Sequence, residues 1–84
     1  MTTEQLKGLK ADQIIDARGT ACPGPLLEAK RSISKIARGG TMEVLYSDEG
    51  TNTDIPMWCK KTGHEHLGTL ADAGYWHVFV RRTK

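Results

Sequence analysis

The sequence predicts an α+β domain: a two-layer βαβαββ sandwich, with two helices on one face of a four-stranded mixed sheet in the order 1-2-4-3. Three observations carry this. Four segments are rich in β-branched and aromatic residues and read as strands. Two segments repeat apolar residues at three- and four-residue steps, the helical period. The chain has 84 residues, enough for one small core, so two helices can cover only one face of the sheet.

The elements follow in order. Residues 1–12 hold Leu6 and Leu9 among polar neighbours and read as a flexible arm or a partial turn; residues 13–82 are expected to form the single domain. Residues 13–17 (Gln-Ile-Ile-Asp-Ala) are a first strand. The spacing of Leu26, Ala29, Ile33, Ile36 and Ala37 predicts a helix over 24–38, stopped by Gly39-Gly40. Residues 41–47 are a second strand, with Met42, Val44 and Tyr46 on one face. A second helix is expected over 53–62, with Thr53 as N-cap and Pro56 in the first turn. Ile55, Trp58 and Cys59 lie on its inner face, which makes Cys59 a core residue. Residues 66–71 are a weaker strand interrupted by Gly68, and Asp72-Ala73-Gly74 is a hairpin turn. Residues 75–81 (Tyr-Trp-His-Val-Phe-Val-Arg) are the most apolar strand. That strand belongs inside the sheet, between the second and the third, and antiparallel to both. Right-handed crossovers place both helices on one side.

Composition narrows the function. No apolar run approaches the ~20 residues of a membrane span. Residues 1–10 lack the apolar stretch of a secretory signal, so a cytoplasmic protein with reduced cysteines is expected. The formal net charge of +2 does not argue for nucleic acid.

The chemistry centres on Ala21-Cys22-Pro23-Gly24-Pro25-Leu26-Leu27. This run places a cysteine where a loop meets a helix. Prolines are accepted in a first helical turn because their missing N–H has no intrahelical partner. With Cys22 as N-cap, Gly24 can aim its N–H and the positive end of the helix dipole at the sulfur. Both favour thiolate, the nucleophilic form. The competing reading is a small buried cysteine beside ordinary helix punctuation. The C-x-x-C position for a resolving thiol holds Pro25, which argues against a dithiol oxidoreductase. Arg18 and Asp16 flank the cysteine loop. Arg18 suits stabilisation of a thiolate, and Asp16 suits pairing with Arg18. Lys30, Arg31, Lys35 and Arg38 form a basic side on the first long helix, a solvated face or a docking surface for acidic partners.

Asp16-Ala17-Arg18-Gly19, the Cys22-Pro23-Gly24-Pro25 run, the Ser47-Asp48 turn and Asp54-Ile55-Pro56-Met57-Trp58-Cys59 together resemble the TusA/SirA family of small sulfur carriers. The resemblance covers nearly the whole of residues 13–82. It implies a βαβαββ sandwich like the C-terminal domain of translation initiation factor three. It implies that Cys22 accepts sulfane sulfur as a persulfide, as a sulfurtransferase acting only with partners and without a cofactor. Expected donors are cysteine desulfurases or rhodanese-type proteins. Expected acceptors are DsrE/TusD-type or heterodisulfide-reductase-like proteins, serving tRNA thiolation, cofactor maturation or sulfur oxidation. The free protein is expected to be a monomer, with no membrane and no direct nucleic-acid partner. Thr20 and His66 depart from the family pattern.

Other readings are weaker. Cys59, His64, His66, His77 and Cys22 match no standard zinc spacing. A Cys22–Cys59 disulfide requires the two residues within bridging range. A nucleic-acid-binding module, or a regulatory interaction module with an inert Cys22, is the alternative function. The chain lacks the exposed aromatics interleaved with basic residues that nucleic-acid binding uses.

Overall fold

The structure is a computed structural model and describes residues 3–21 and 24–84. Its elements are α1 (Thr3–Lys7), β1 (Gln13–Asp16), α2 (Gly24–Ile33), β2 (Thr41–Tyr46), α3 (Thr51–Thr62), β3 (Glu65–Asp72) and β4 (Tyr75–Arg81). The sheet runs β1-β2-β4-β3, the order and class read from the sequence. β1 and β2 are parallel, and β4 is antiparallel to both β2 and β3.

Alternation along the strands sorts the two faces. Met42, Val44 and Tyr46 of β2 and Val78 and Val80 of β4 are fully buried and face α2 and α3. Ala29 and Ile33 of α2 and Ile55, Trp58 and Cys59 of α3 close this core from the other side. Trp76 stacks on Tyr46, with ring centroids 5.6 Å apart. Each aliphatic side chain buried here contributes about 1.5–3 kcal/mol.

Strand ends shift by one residue, and three larger differences from expectation stand out. α2 stops at Ile33 rather than at Arg38, although Ile36 stays buried. The chain tightens through i→i+3 bonds, Lys35 N–H to Ser32 O and Ile36 N–H to Ile33 O. The Arg82 side chain then donates to the carbonyls of Ser34 and Ile36. These contacts turn the chain towards β2, so an apolar period continues through residues that are no longer helical.

α3 begins at Thr51, not after Thr53, and Gly50 caps it without a side-chain bond. Successive turns from Asp48, Glu49 and Gly50 feed the helix, and the Tyr46 hydroxyl donates to Asn52 Oδ1. Pro56 therefore lies inside the helix rather than in its first turn, and it supplies no N–H to the Asn52 carbonyl.

The third difference is on the opposite face of the sheet. There α1 packs on β3, and Leu6, Leu67 and Phe79 form a second apolar cluster joined by Leu9 and Leu70. A β-bulge between His66 and Gly68 turns Leu67 into this cluster. A Cβ at Gly68 would stand 2.6 Å from a Leu6 methyl, so the glycine admits α1.

Candidate functional site

The C-terminal ends of the parallel strands β1 and β2 lie side by side, next to the β3–β4 hairpin. The loop leading to Cys22 starts there. Its hydrogen bonds hold it to the sheet: Ala17 N–H to Leu45 O at 2.8 Å, Thr20 N–H to Ala17 O at 3.2 Å and Gly19 N–H to Ser47 Oγ at 2.9 Å. Gly19 has φ 80°, a left-handed conformation that a β-branched residue resists.

Asp16 and Arg18 form a two-pronged ion pair. Arg18 Nε donates to Asp16 Oδ1 at 2.8 Å and Nη2 donates to Oδ2 at 2.7 Å. The Arg18 backbone N–H adds a third bond to Oδ1, at 3.2 Å. The hydrogen bonds from Arg18 hold the Asp16 carboxyl at about 2, and the same pairing raises Arg18 further. The Arg18 guanidinium also lies over the Tyr75 ring, 4.8 Å from its centroid. The pair inferred for these two residues is present, and the tyrosine beneath it was not foreseen.

Cys22 and Pro23 lie outside the described residues, and with them the expected N-cap geometry. α2 begins at Gly24, and Pro25 of its first turn is buried. The expected role of Gly24 as a donor to sulfur changes. Its N–H is bonded to the Ala21 carbonyl at 2.7 Å. What the site asks of Gly24 is space: a Cβ there would stand 2.0 Å from Thr20 Cγ2.

The basic residues do not share one helical face. Lys30 lines a groove of about 170 Å³ between α2 and α3, with Leu26, Asp54, Met57, Trp58 and Lys61. Arg31 pairs with Glu28 at 3.3 Å, and Lys35 lies beyond the end of α2. Leu27 and Met57, each half exposed, stand near the start of α2 and on α3.

The residues weighed as metal ligands are dispersed. Cys59 is buried in the helix-facing core, and burial pushes its thiol up to about 11. His77 is on the opposite face of the sheet, His66 bonds Thr69 Oγ1 at 3.0 Å, and His64 packs against Trp58. Among the described residues, no group of three or more His, Cys, Asp or Glu is placed to hold a metal ion. His77 instead bridges Glu43 and Asp72. Sequence reasoning missed that cluster because β4 reads as an interior apolar strand. The alternation of Tyr75, His77 and Phe79 was the available signal.

Comparison with known proteins agrees with this architecture. The family model for sulfurtransferase TusA matches residues 13–82. A putative sulfur carrier protein of Archaeoglobus fulgidus is 42% identical over 71 residues, covering 84% of this chain and 97% of that protein. The sulfur carrier protein TusA of Pseudomonas entomophila is 35% identical over 71 residues, covering 84% of this chain and 89% of that one. The crystal structure of a SirA-like protein from Desulfitobacterium hafniense superposes with a TM-score of 0.75 at 23% identity, covering 86% of this chain and 99% of that chain; it speaks for the fold. No helix among the described residues is long and apolar enough to cross a membrane. The chain belongs to the TusA family and is a sulfur carrier, one of the proteins that relay sulfur to partner proteins.

Proposed function

We propose that Cys22 is the residue that carries the sulfur, as a persulfide. The observation that supports this most is the placement of its neighbours. The Asp16–Arg18 turn and the first turn of α2 bracket Cys22 in sequence, each held by contacts to the fold. Cys59, the alternative thiol, is 1% exposed and kept neutral by burial. In the loading step the Cys22 thiolate attacks the outer sulfur of a donor persulfide. A new S–S bond forms at Cys22, the donor's S–S bond breaks, and the donor leaves as a thiolate. No external oxidant is consumed. Unloading is the same exchange with an acceptor thiolate.

Arg18, held by Asp16, supplies positive charge beside the loop, and Gly24 and Pro25 set the start of α2 close to Thr20. Donors are of the cysteine desulfurase or rhodanese type, and acceptors of the DsrE/TusD or heterodisulfide-reductase-like type, in the cytoplasm. The protein works as a monomer built on residues 13–82 and without a cofactor. Lys30, with Arg31 and Lys35 nearby, steers acidic partners.

The test is intact-protein mass spectrometry after incubation with a persulfide donor. One added sulfur is expected on the wild type and on Cys59→Ala, and none on Cys22→Ser. An undiminished adduct on Cys22→Ser overturns the assignment.

A further inference from the structure

On the face of the sheet away from α2 and α3, a chain of side chains runs from the interior of the sheet to the Arg18 turn. It starts at His77, whose side chain is only 18% exposed. Nδ1 is 2.8 Å from Glu43 Oε2, and Nε2 is 2.9 Å from Asp72 Oδ2. An ionised carboxylate accepts hydrogen bonds and donates none, so both ring nitrogens must carry protons for both contacts to hold. The geometry therefore describes an imidazolium between two carboxylates. Burial opposes that charge, but the hydrogen bonds His77 donates to Asp72 and Glu43 outweigh it and hold His77 above its ordinary value. Among the described residues, the charged groups that line the cavity of about 420 Å³ together with His77 are Glu43 of β2, Asp72 of β3 and Lys7 of α1.

The chain continues through the hairpin. Asp72 accepts from the Ala73 N–H at 2.8 Å, in the turn that leads to Tyr75. The Tyr75 ring packs against His77, with centroids 5.0 Å apart and planes inclined by 52°. The same ring carries the Arg18 guanidinium. The side chains of Arg18 and Asp16 are 45% and 55% exposed, and an exposed pair by itself holds a loop weakly. Tyr75 is a second hold on the Arg18 side chain, beside the backbone bonds that tie the loop to the sheet.

We infer that Tyr75 and His77 are positioning residues for Cys22: the imidazole ring bound by Glu43 and Asp72 fixes Tyr75, Tyr75 seats Arg18, and Arg18 orders the turn that leads into the cysteine. The inference rests on Cys22 being the reactive thiol. Loss of one imidazole proton leaves a carboxylate without its donor. The imidazole ring then loosens against the Tyr75 ring, and the Arg18 turn loses its seat.

The experiment follows alkylation of Cys22 by iodoacetamide against pH, read at the peptide level, beside an NMR titration of the His77 ring. The wild-type profile is expected to show two inflections, one from the thiol and one at the pH where His77 titrates. His77→Gln should leave one inflection and raise its midpoint, lowering reactivity at neutral pH about threefold, or about half a pKa unit. Tyr75→Phe keeps the ring and should behave as wild type at Cys22. Tyr75→Leu should reproduce His77→Gln at Cys22 while His77 still titrates. A wild-type profile without an inflection at the His77 titration overturns the inference, and needs no variant to fold. So do His77→Gln and Tyr75→Leu profiles that superimpose on the wild type. Alkylation reports the thiol whether or not it accepts sulfur, so a Cys22 that takes no sulfur yet shows the coupled profile would sink the carrier assignment and leave this one standing.

Discussion

Gly24 has room for a hydrogen and nothing more. A methyl group there would meet Thr20 Cγ2 at 2.0 Å and Thr20 Cβ at 3.3 Å. Its φ is not in the left-handed region, so the constraint is contact rather than backbone strain. Gly24→Ala should therefore cost about 1–3 kcal/mol through overpacking. Thr20→Ser removes the offending methyl, and the double variant should recover most of the loss in urea unfolding. Additive effects of the two substitutions would show that they do not touch. The glycine was visible in the sequence, but its reason was not. The sequence suggested a donor for the cysteine, whereas the N–H is spent on the Ala21 carbonyl. Cys59 was legible for what it is, because helical spacing puts it in line with Ile55 and on the inner face.

At the scale of elements, the end of α2 shows where periodicity misleads. Ile36 and the residues before it keep an apolar rhythm, yet the helix ends at Ile33. Arg82, 46 residues from Ile36, decides this. Its Nη1 donates to Ile36 O at 2.5 Å and Ser34 O at 3.3 Å, while its backbone pairs with Gly39 and Gly40. Arg82→Met keeps the aliphatic stem and removes these side-chain donors. It should destabilise the fold by about 1–3 kcal/mol, the cost of carbonyls left unpaired. Hydrogen exchange at residues 34–37 should speed up more than exchange in the middle of α2. Equal protection in both variants would mean that the Arg82 side chain does not set the helix end. α1 was hidden for a different reason. Five residues carry too little pattern to show a helical period, and Leu6 is buried by partners more than sixty residues away, Leu67 and Phe79.

For the whole molecule, pH acts on stability from both sides. Asp16 and Asp72 are held at about 2 by hydrogen bonds, from Arg18 and from His77 respectively. Each favours the fold above the ordinary carboxylate value of 3.8 and stops doing so as pH falls towards 2. His77 is raised above 6.5, so the folded state binds its proton more tightly than the unfolded chain. Its contribution is complete below 6.5 and is lost as pH rises through the raised value. Urea midpoints should be highest between about pH 4 and 6.5 and fall on both sides. His77→Gln should flatten the alkaline limb; an alkaline limb unchanged in that variant would remove His77 from the account. The sequence by itself determined the strand order, the two long helices, the inward face of each element, and the cysteine run with its Asp16–Arg18 approach. The order follows from the apolar run of residues 75–81, and the rest is written in consecutive residues, as a period of two or of 3.6 or as a pair two residues apart. Only the tertiary structure decided the contacts that hold the site. Ser47 reaches Gly19 across 28 residues and Glu43 reaches His77 across 34. Both depend on the register of β2 with its neighbours, which is set when the core closes and leaves no local trace in the chain.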